Sequence, residues 1–468
     1  MTTKQATPRA ASTPKSRATA ALQSKRVSRL VKQRLRKLAH KVVYVPLDSI
    51  HPSEHNPRIH DKKQIKLICE SITRFDFMNP CLVDGKDRII SGHGRYEAAK
   101  RLGLESIPII RVTHLTEAEL RIYMVADNRT GELSTWDKKA LALVFKDILE
   151  IGDGLDITLT GFDMPDVDKT LQVLDQDPVV DSEEEIPETA AKPVSRLGDL
   201  WQVGDHFLLC ADARDAAAYR RLLGRTKVRQ VVTDPPYNVR IDGHVSGLGK
   251  VRHREFAVAS GELSSEAFKA FLEEVFSNIA AVCVSGALIF AFMDWRHLRE
   301  ILAAGYAVFA ELKNLIVWGK GCAGMGSLYR SQHELVTLWK HGKAPHINNV
   351  QLGTRRYRTN LWMYDGMNSF KKGRAEELAM HPTLKPVGMI ADALLDCSNR
   401  GDAVLDPFAG SCTILIAAEK TGRRAYAIEV DPLYCDVGLR RWQQFTGKQA
   451  VLVDTGKTFD EVTDARHG

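Results

Sequence analysis

Apolar positions recur along the chain at helical spacing in some stretches and in short uninterrupted runs in others. Ile65, Ile68 and Ile72 share one face of a helix expected over Gln64–Thr73. Runs at Val42–Pro46, Cys81–Val83 and Arg88–Ile90 read as strands, the last two joined through Asp84-Gly85-Lys86 as a hairpin. Ser91-Gly-His-Gly-Arg95 opens a helix over Tyr96–Leu102. Thr116 and Glu119 form a capping-box pattern at the head of a helix over Leu115–Asn128. Helices are also expected over Trp136–Ile151 and just after Gly161-Phe-Asp163. Farther on, Val228–Thr233, Ala403–Asp406 and Ala425–Val430 read as strands, with a helix over Ile414–Lys420 between the last two. Leu288–Phe292, Leu315–Trp318 and Leu335–Trp339 read as sheet core. The longest apolar run, Val282–Met293, is broken by Ser285 and Gly286. It is shorter than the ~20 apolar residues a bilayer requires, so no membrane span is expected.

Composition supports globular domains. The chain has 468 residues, 44% hydrophobic and 26% charged, which excludes a wholly disordered, collagenous or disulfide-stapled protein. At roughly 100–200 residues per domain, two to four domains are expected. The eight cysteines form no CxxC pair and no Cys/His quartet of zinc-finger spacing, so a reducing compartment and no metal site are expected. Charge is uneven. The net charge is +7, yet residues 1–41 hold twelve Lys or Arg and no acid, so the other 427 residues carry 7 − 12 = −5. This basic arm suits nucleic-acid phosphates. It also suits a solvated tail, and Arg-rich, acid-free N-termini resemble organelle transit peptides as well. A second break falls at Asp175–Lys192, with seven acidic residues, Pro178 and Pro187, and reads as a linker. The expected organisation is a basic tail at 1–41, a region at 42–170, an acidic linker at 171–195, a larger region at 196–447 and a C-terminal tail at 448–468.

The second region carries the chemistry. Val228–Thr233 runs into Asp234-Pro235-Pro236-Tyr237. Two prolines supply no amide donors, so their carbonyls remain as rigid acceptors beside one carboxylate and one aromatic ring. At the carboxyl end of a strand, where open α/β sheets bind ligands, these groups suit a planar molecule bearing an amino group. Ala403–Asp406 ends in Asp406-Pro-Phe408-Ala-Gly410-Ser411-Cys412-Thr413, then a helix, then a strand closing on Glu429. Glu429 lies 19 residues after Gly410, near the spacing of about 20 for a carboxylate that holds ribose hydroxyls. The glycine pattern is not GxGxxG, which favours a cofactor without a pyrophosphate. Taken singly, each motif also fits an ordinary turn or a plain βαβ unit.

Together, in this order, they resemble the β group of amino DNA methyltransferases, in which the catalytic Asp-Pro-Pro-Tyr precedes the cofactor motif. His381-Pro-Thr383-Leu-Lys385-Pro386 resembles that group's motif flanking the methionine end of S-adenosyl-L-methionine. Leu208-Leu-Cys-Ala-Asp212 resembles its strand whose Asp approaches the adenine. The resemblance implies an α/β fold, with a Rossmann-like S-adenosylmethionine-dependent methyltransferase domain. It assigns Asp234, Pro235, Pro236 and Tyr237 to catalysis. It assigns Asp212, Thr383, Lys385, Asp406, Phe408, Gly410, Ser411 and Glu429 to the cofactor. The family usually has Gly where Cys412 stands, so crowding of the cofactor turn is expected there. Target recognition is expected within about 240–380, where Arg240, Lys250, Arg252, Arg355, Arg356 and Arg358 suit phosphate contacts and equally a solvated surface. Asp at the head of the motif leans toward adenine N6; cytosine N4 is the nearest alternative. The target base must be flipped out of the duplex.

In the first region, His51-Pro-x-x-x-Asn-Pro-Arg58, the Val-Asp-Gly hairpin and Gly92-His93-Gly94-Arg95-Tyr-Glu-Ala-Ala-Lys100 resemble the N-terminal domain of the ParB partition proteins, a smaller α+β domain. That family's loop typically reads Gly-Glu-Arg-Arg and holds a nucleotide. Here His93 replaces Glu and Gly94 the first Arg, so nucleotide hydrolysis is not expected and a phosphate or DNA-backbone contact is. A non-catalytic ParB-type DNA-binding protein is therefore the alternative from a different class. Double-stranded DNA is the expected partner, a homodimer is left open, and a bacterial or phage-encoded cytoplasmic, nucleoid-associated protein is expected. No nuclease motif is evident, though a restriction–modification partner could be encoded separately.

Overall fold

The computed structural model describes residues 41–151, 156–174, 187, 192–239, 261–321, 328–350, 358–365 and 385–467. The basic tail, most of the acidic linker, and Arg240, Lys250, Arg252, Arg355, Arg356 and Thr383 lie outside them. The chain divides into two compact units, Met1–Asp137 with Leu159–Gly161, and Lys138–Thr158 with Phe162–Gly468.

The first unit is a five-stranded sheet of β1 (Val42–Pro46), β2 (His51–Pro52), β3 (Cys81–Asp84), β4 (Arg88–Ser91) and β5 (Ser106–Val112), in the order β1-β5-β3-β4-β2. Its helices are α1 (Lys62–Phe75), α2 (His93–Leu102) and α3 (Glu117–Glu132). Leu47, Ile50, Cys81, Val83, Ile89, Ala99, Ile107 and Ile109 form its core. β3 and β4 make the expected hairpin. The Thr116/Glu119 capping box is formed, and α3 continues to Glu132. The Gly-rich turn takes a left-handed conformation at Gly92 (φ 104°), and α2 starts on the next residue.

Helices α4 (Lys138–Ile151) and α5 (Met164–Leu171) cluster with the second unit rather than extending the first. Phe145, Ile157 and Val167 give them a small core. Asp168 on α5 is buried and pairs with Arg423 at 2.9 Å and Arg400 at 3.1 Å. A buried carboxylate needs such cations to offset its lost hydration, so the pairing ties α5 to the large sheet.

That sheet has eleven strands. They are β6 (Leu200–Val203), β7 (His206–Cys210), β8 (Val228–Thr233), β9 (Cys283–Met293), β10 (Glu311–Gly319), β11 (His333–Lys340), β12 (Leu361–Met363), β13 (Ala403–Asp406), β14 (Arg424–Glu429), β15 (Val451–Leu452) and β16 (Lys457–Thr458). The order is β12-β10-β11-β9-β8-β13-β14-β7-β6-β15-β16. Strands β9, β8, β13, β14 and β7 are mutually parallel, so their carboxyl ends share one edge. Side chains alternate between faces. Val232, Val404, Ala425 and Ala427 enter one core, with α9 (Val387–Cys397), α10 (Thr413–Thr421) and α11 (Pro432–Thr446). Val231, Leu405, Tyr426 and Ile428 enter the other, with α6 (Ala216–Leu223), α7 (Ser265–Val282) and α8 (Leu298–Val308). From β8 the chain moves outward to β9; from β13 it moves the other way to β14. The crevice between β8 and β13 is thus the point where winding reverses, a ligand-binding position in such sheets.

Two expectations are corrected. Residues 448–468 are not a tail. β15 pairs with β6, and in α12 (Phe459–His467) Phe459 packs on Trp201 with ring centroids 5.5 Å apart. Arg466 on α12 also binds Asp199, so apolar burial and an ion pair both hold the segment. The end of the linker is likewise part of the fold, because the Val194 and Ser195 amides donate to Asp436 at 2.6 and 2.9 Å.

Cys412 is accommodated in the packed interior. The residue is 1% exposed, and its thiol donates to the Gly410 carbonyl of the same turn at 3.6 Å. It accepts a left-handed backbone (φ 59°) that normally favours glycine. A Cβ added at Gly438 of α11 would lie 2.3 Å from the Cys412 sulfur, so Gly438 provides the room Cys412 occupies. Gly438→Ala is expected to destabilise the protein by about 1–3 kcal/mol through overpacking. Adding Cys412→Gly should recover much of that loss in chemical denaturation. A Gly438→Ala variant as stable as the parent would refute the pairing.

Candidate active site

β8 delivers Asp234 to the carboxyl edge, and the two following prolines stiffen the exit. The chain then turns through Asn238, which is left-handed (φ 53°). The Asn238 side chain accepts from the Gly261 and Leu263 amides at 3.1 and 3.2 Å and donates to the Leu263 carbonyl at 2.9 Å. It therefore clamps together the two stretches that flank residues 240–260, and so fixes the base of the motif.

Both oxygens of Asp234 are engaged. Oδ2 accepts from the Lys385 ammonium at 2.5 Å, and Oδ1 from the Tyr237 hydroxyl at 2.6 Å. Lys385 also lies 3.2 Å from Glu334, whose other oxygen holds Lys320 at 2.5 Å. The Tyr237 oxygen is 2.9 Å from Glu334. A phenol has one proton, and the shorter separation assigns it to Asp234. The Lys385 ammonium is surrounded by the rings of Phe292, Tyr237 and Trp318, with centroids 5.2, 5.6 and 5.8 Å away. Two carboxylates and two ammonium groups thus make a neutral cluster. Burial would raise the Glu334 carboxyl, but Lys385 and Lys320 outweigh it and hold it at about 2. Burial raises Asp234, with Lys385 opposing that rise. Burial and the two carboxylates push the Tyr237 phenol well above its ordinary value, so it stays protonated.

The neighbouring strands β13 and β14 bring two more buried carboxyls. Asp406 accepts from the Phe408 amide at 3.0 Å. Glu429 accepts from the Gly410 and Asp431 amides, each at 2.8 Å. Burial lifts both carboxyls to about 7, and Asp406 is raised further by the charges of Asp234 and Glu429. Asp234, Asp406 and Glu429 therefore stand near one another at the carboxyl ends of three adjacent strands. Phe408 lies beside Phe271, with centroids 6.0 Å apart. Asp212 stands just past the end of β7, where Arg214, 2.6 Å away, holds its carboxyl below the usual range despite burial.

Other expected residues are placed differently. The Ser411 hydroxyl is 6% exposed at the residue level and accepts from buried Arg441 at 3.4 Å, so it faces inward. Arg441 also donates to Thr413 at 3.0 Å, and the Thr413 hydroxyl reaches the Lys385 carbonyl at 3.5 Å. The glycine turn is thereby tied to the Lys385 segment. Arg358, expected on phosphate, is instead structural. It pairs with Asp392 at 2.5 Å and Asp396 at 3.0 Å and lies over the Trp362 ring at 5.1 Å. With its charge matched by two carboxylates, it is not a free phosphate ligand. Glu334 and Lys320 were not anticipated. Glu334 stands at the start of β11, and only the antiparallel pairing of Leu335 with Met293 brings it to the carboxyl edge. In the first unit, the His93 ring folds back to accept from the Ser53 amide at 3.3 Å. Burial and His60 lower it to about 4, so it adds no cation to the Gly-rich turn.

Comparison with known proteins finds likenesses in both regions of the chain. Residues 228–440 match the DNA methylase model of the N6/N4 type, residues 31–128 the ParB N-terminal domain, and residues 139–197 the ParB-methyltransferase HTH domain. The ParB-like nuclease domain-containing protein YnaK of Escherichia coli is 43% identical over 79 residues, covering 17% of this chain and 91% of YnaK. The Type II methyltransferase M.HpaI of Haemophilus parainfluenzae is 24% identical over 266 residues, 53% of this chain and 77% of its own length. The DNA adenine methyltransferase YhdJ of E. coli is 46% identical over 111 residues, 24% of this chain and 34% of YhdJ. Residues 228–440 thus form a DNA methylase domain of the N6/N4 type, a family dependent on S-adenosyl-L-methionine, and the chain carries a ParB-type N-terminal domain.

Proposed function

We propose that the protein methylates the exocyclic N6 of adenine in double-stranded DNA at a specific sequence. The observation that carries this is the donor already seated on Asp234. An N–H group 2.5 Å from Oδ2, beside the Tyr237 ring, occupies the position an amino group would take. Adenine is favoured over cytosine by the Asp that heads the motif and by the name of the relative YhdJ.

S-adenosylmethionine supplies an electrophilic methyl group on its sulfonium. The groups present suit it: buried carboxyls for the ribose and the Phe408 ring for a flat base. Glu429 would hold the ribose hydroxyls, Asp406 and Phe408 would line the crevice, and Lys385 would belong to the substrate side rather than to the cofactor. Asp234 and the Pro235 carbonyl accept hydrogen bonds from the two N–H groups of the flipped base's amine. That localises the nitrogen lone pair, which is otherwise delocalised into the ring. Tyr237 stacks on the base, at about 1–3 kcal/mol for such contacts, which offsets the few kcal/mol that flipping costs. Positioning can contribute about 7–11 kcal/mol to the rate. No cysteine takes part. The HTH segment and the basic arm add sequence-independent DNA contacts, and the protein works in the cytoplasm on nucleoid or phage DNA.

Asp234→Ala is expected to lower methyl transfer by about 10²–10³-fold, the cost typical of losing one pre-aligned polar group, with S-adenosylmethionine affinity little changed. Radiolabelled transfer and calorimetry measure the two. Loss of cofactor binding instead would remove Asp234 from its role. Mass spectrometry of the digested DNA should find N6-methyladenine; N4-methylcytosine would overturn the base assignment.

Cofactor affinity should depend on pH. Glu429 is protonated below about 7, and ribose hydroxyls donate to its ionised form. Binding therefore expels a proton, and affinity rises with pH through that value, by up to about tenfold per unit below it, then levels off. Glu429→Gln should weaken binding and reduce the slope. Unchanged affinity in that variant would take Glu429 off the ribose.

A further inference from the structure

We infer that Lys385 is a movable stand-in for the target amino group, resting on Asp234 in the free enzyme and passing to Glu334 when the base enters. This rests on the methyl-transfer reading above and adds a positioning role for Glu334, which no motif of the sequence suggested.

The place beside Asp234 Oδ2 where the base's amino group would donate is held by the Lys385 ammonium at 2.5 Å, and that residue is 7% exposed. Lysine is a costly plug to withdraw, because an ammonium without a counter-ion in a buried site is strongly disfavoured. Glu334 removes that difficulty. Its Oε2 is 3.2 Å from the same Nζ that sits 2.5 Å from Asp234. A turn of the terminal methylene exchanges one carboxylate for the other. The rings of Phe292, Tyr237 and Trp318 contact the ammonium throughout, so the cation stays within one box. Lys320, on the far oxygen of Glu334, keeps that carboxylate ionised and held in place. In the resting state the lysine keeps Asp234 charged; in the loaded state the amino group does.

The groups facing Asp234 are Lys385 ahead of α9, Tyr237 after β8, Glu334 on β11 and Asp406 on β13. Of these, Lys385 alone is a cation. Removing it should let burial raise the Asp234 carboxyl and move the acid limb of the rate profile to higher pH.

The test uses the full chain and unmethylated DNA, with single-turnover methyl transfer and calorimetric S-adenosylmethionine binding. Glu334→Gln, which leaves Lys385 only Asp234 as partner, should slow transfer by about tenfold, with cofactor affinity unchanged and partial rescue by Glu334→Asp. Adding Lys385→Gln to Glu334→Gln should restore most of that loss, a coupling of the size found for contacting charges. Lys385→Gln alone should shift the acid limb upward, which a merely structural brace would not do. Losses that multiply in the double variant, or an acid limb that stays in place, overturn the inference while wild-type transfer stands. A wild-type protein that binds DNA and cofactor yet transfers no methyl group defeats the underlying reading, and the inference with it.

Discussion

Burying two carboxylates beside one phenol is tolerable only if matching cations are buried with them, and the active edge of this protein is organised around that need. Asp234 and Glu334 are balanced by Lys385 and Lys320 within a few ångströms. Charge taken out of water must be repaid locally, so the four side chains act as one object. They link the carboxyl edge of β8 to β10, β11 and the segment ahead of α9. These are distant in sequence, and the sheet draws them together.

The sheet makes that convergence possible. Its parallel centre aligns the carboxyl ends of β8, β13, β14 and β7, and reversal of winding between β8 and β13 opens a crevice where Asp234 and Asp406 stand on opposite sides. On its outer flank the strands turn antiparallel, so β11 presents its beginning at the same edge. The amino-group side of the site thus draws on the antiparallel flank, and the cofactor side on the parallel centre. Cys412 and Gly438 show the same interdependence at smaller scale. A side chain at a turn that normally favours glycine is accommodated because a helix opposite lacks one.

Several parts of the fold were legible from the chain alone. Val228–Thr233 and Ala403–Asp406 form strands with the expected bounds, because short apolar stretches closed by an Asp-Pro step leave few alternatives. The Thr116/Glu119 box formed as expected because a cap depends on residues three apart. Where the reading failed, the missing information was long-range. The segment after 448 looked like a tail because its few apolar residues gain their value only against Trp201 and β6. Arg358 looked like a phosphate ligand because Asp392 and Asp396 are 34 and 38 residues away along the chain.

Local order in the chain was thus enough to show the resemblance to the family, the succession of its motifs and the chemical types gathered at Asp234–Tyr237, since those follow from neighbouring residues and their spacing. Which groups face one another was decided by tertiary structure. Glu334 became a partner of Lys385, Ser411 turned to Arg441, and Asp168 was buried against Arg423. The physical reason is that a buried charge or donor must find its complement wherever the packed strands place one, and strand pairing ignores distance along the chain.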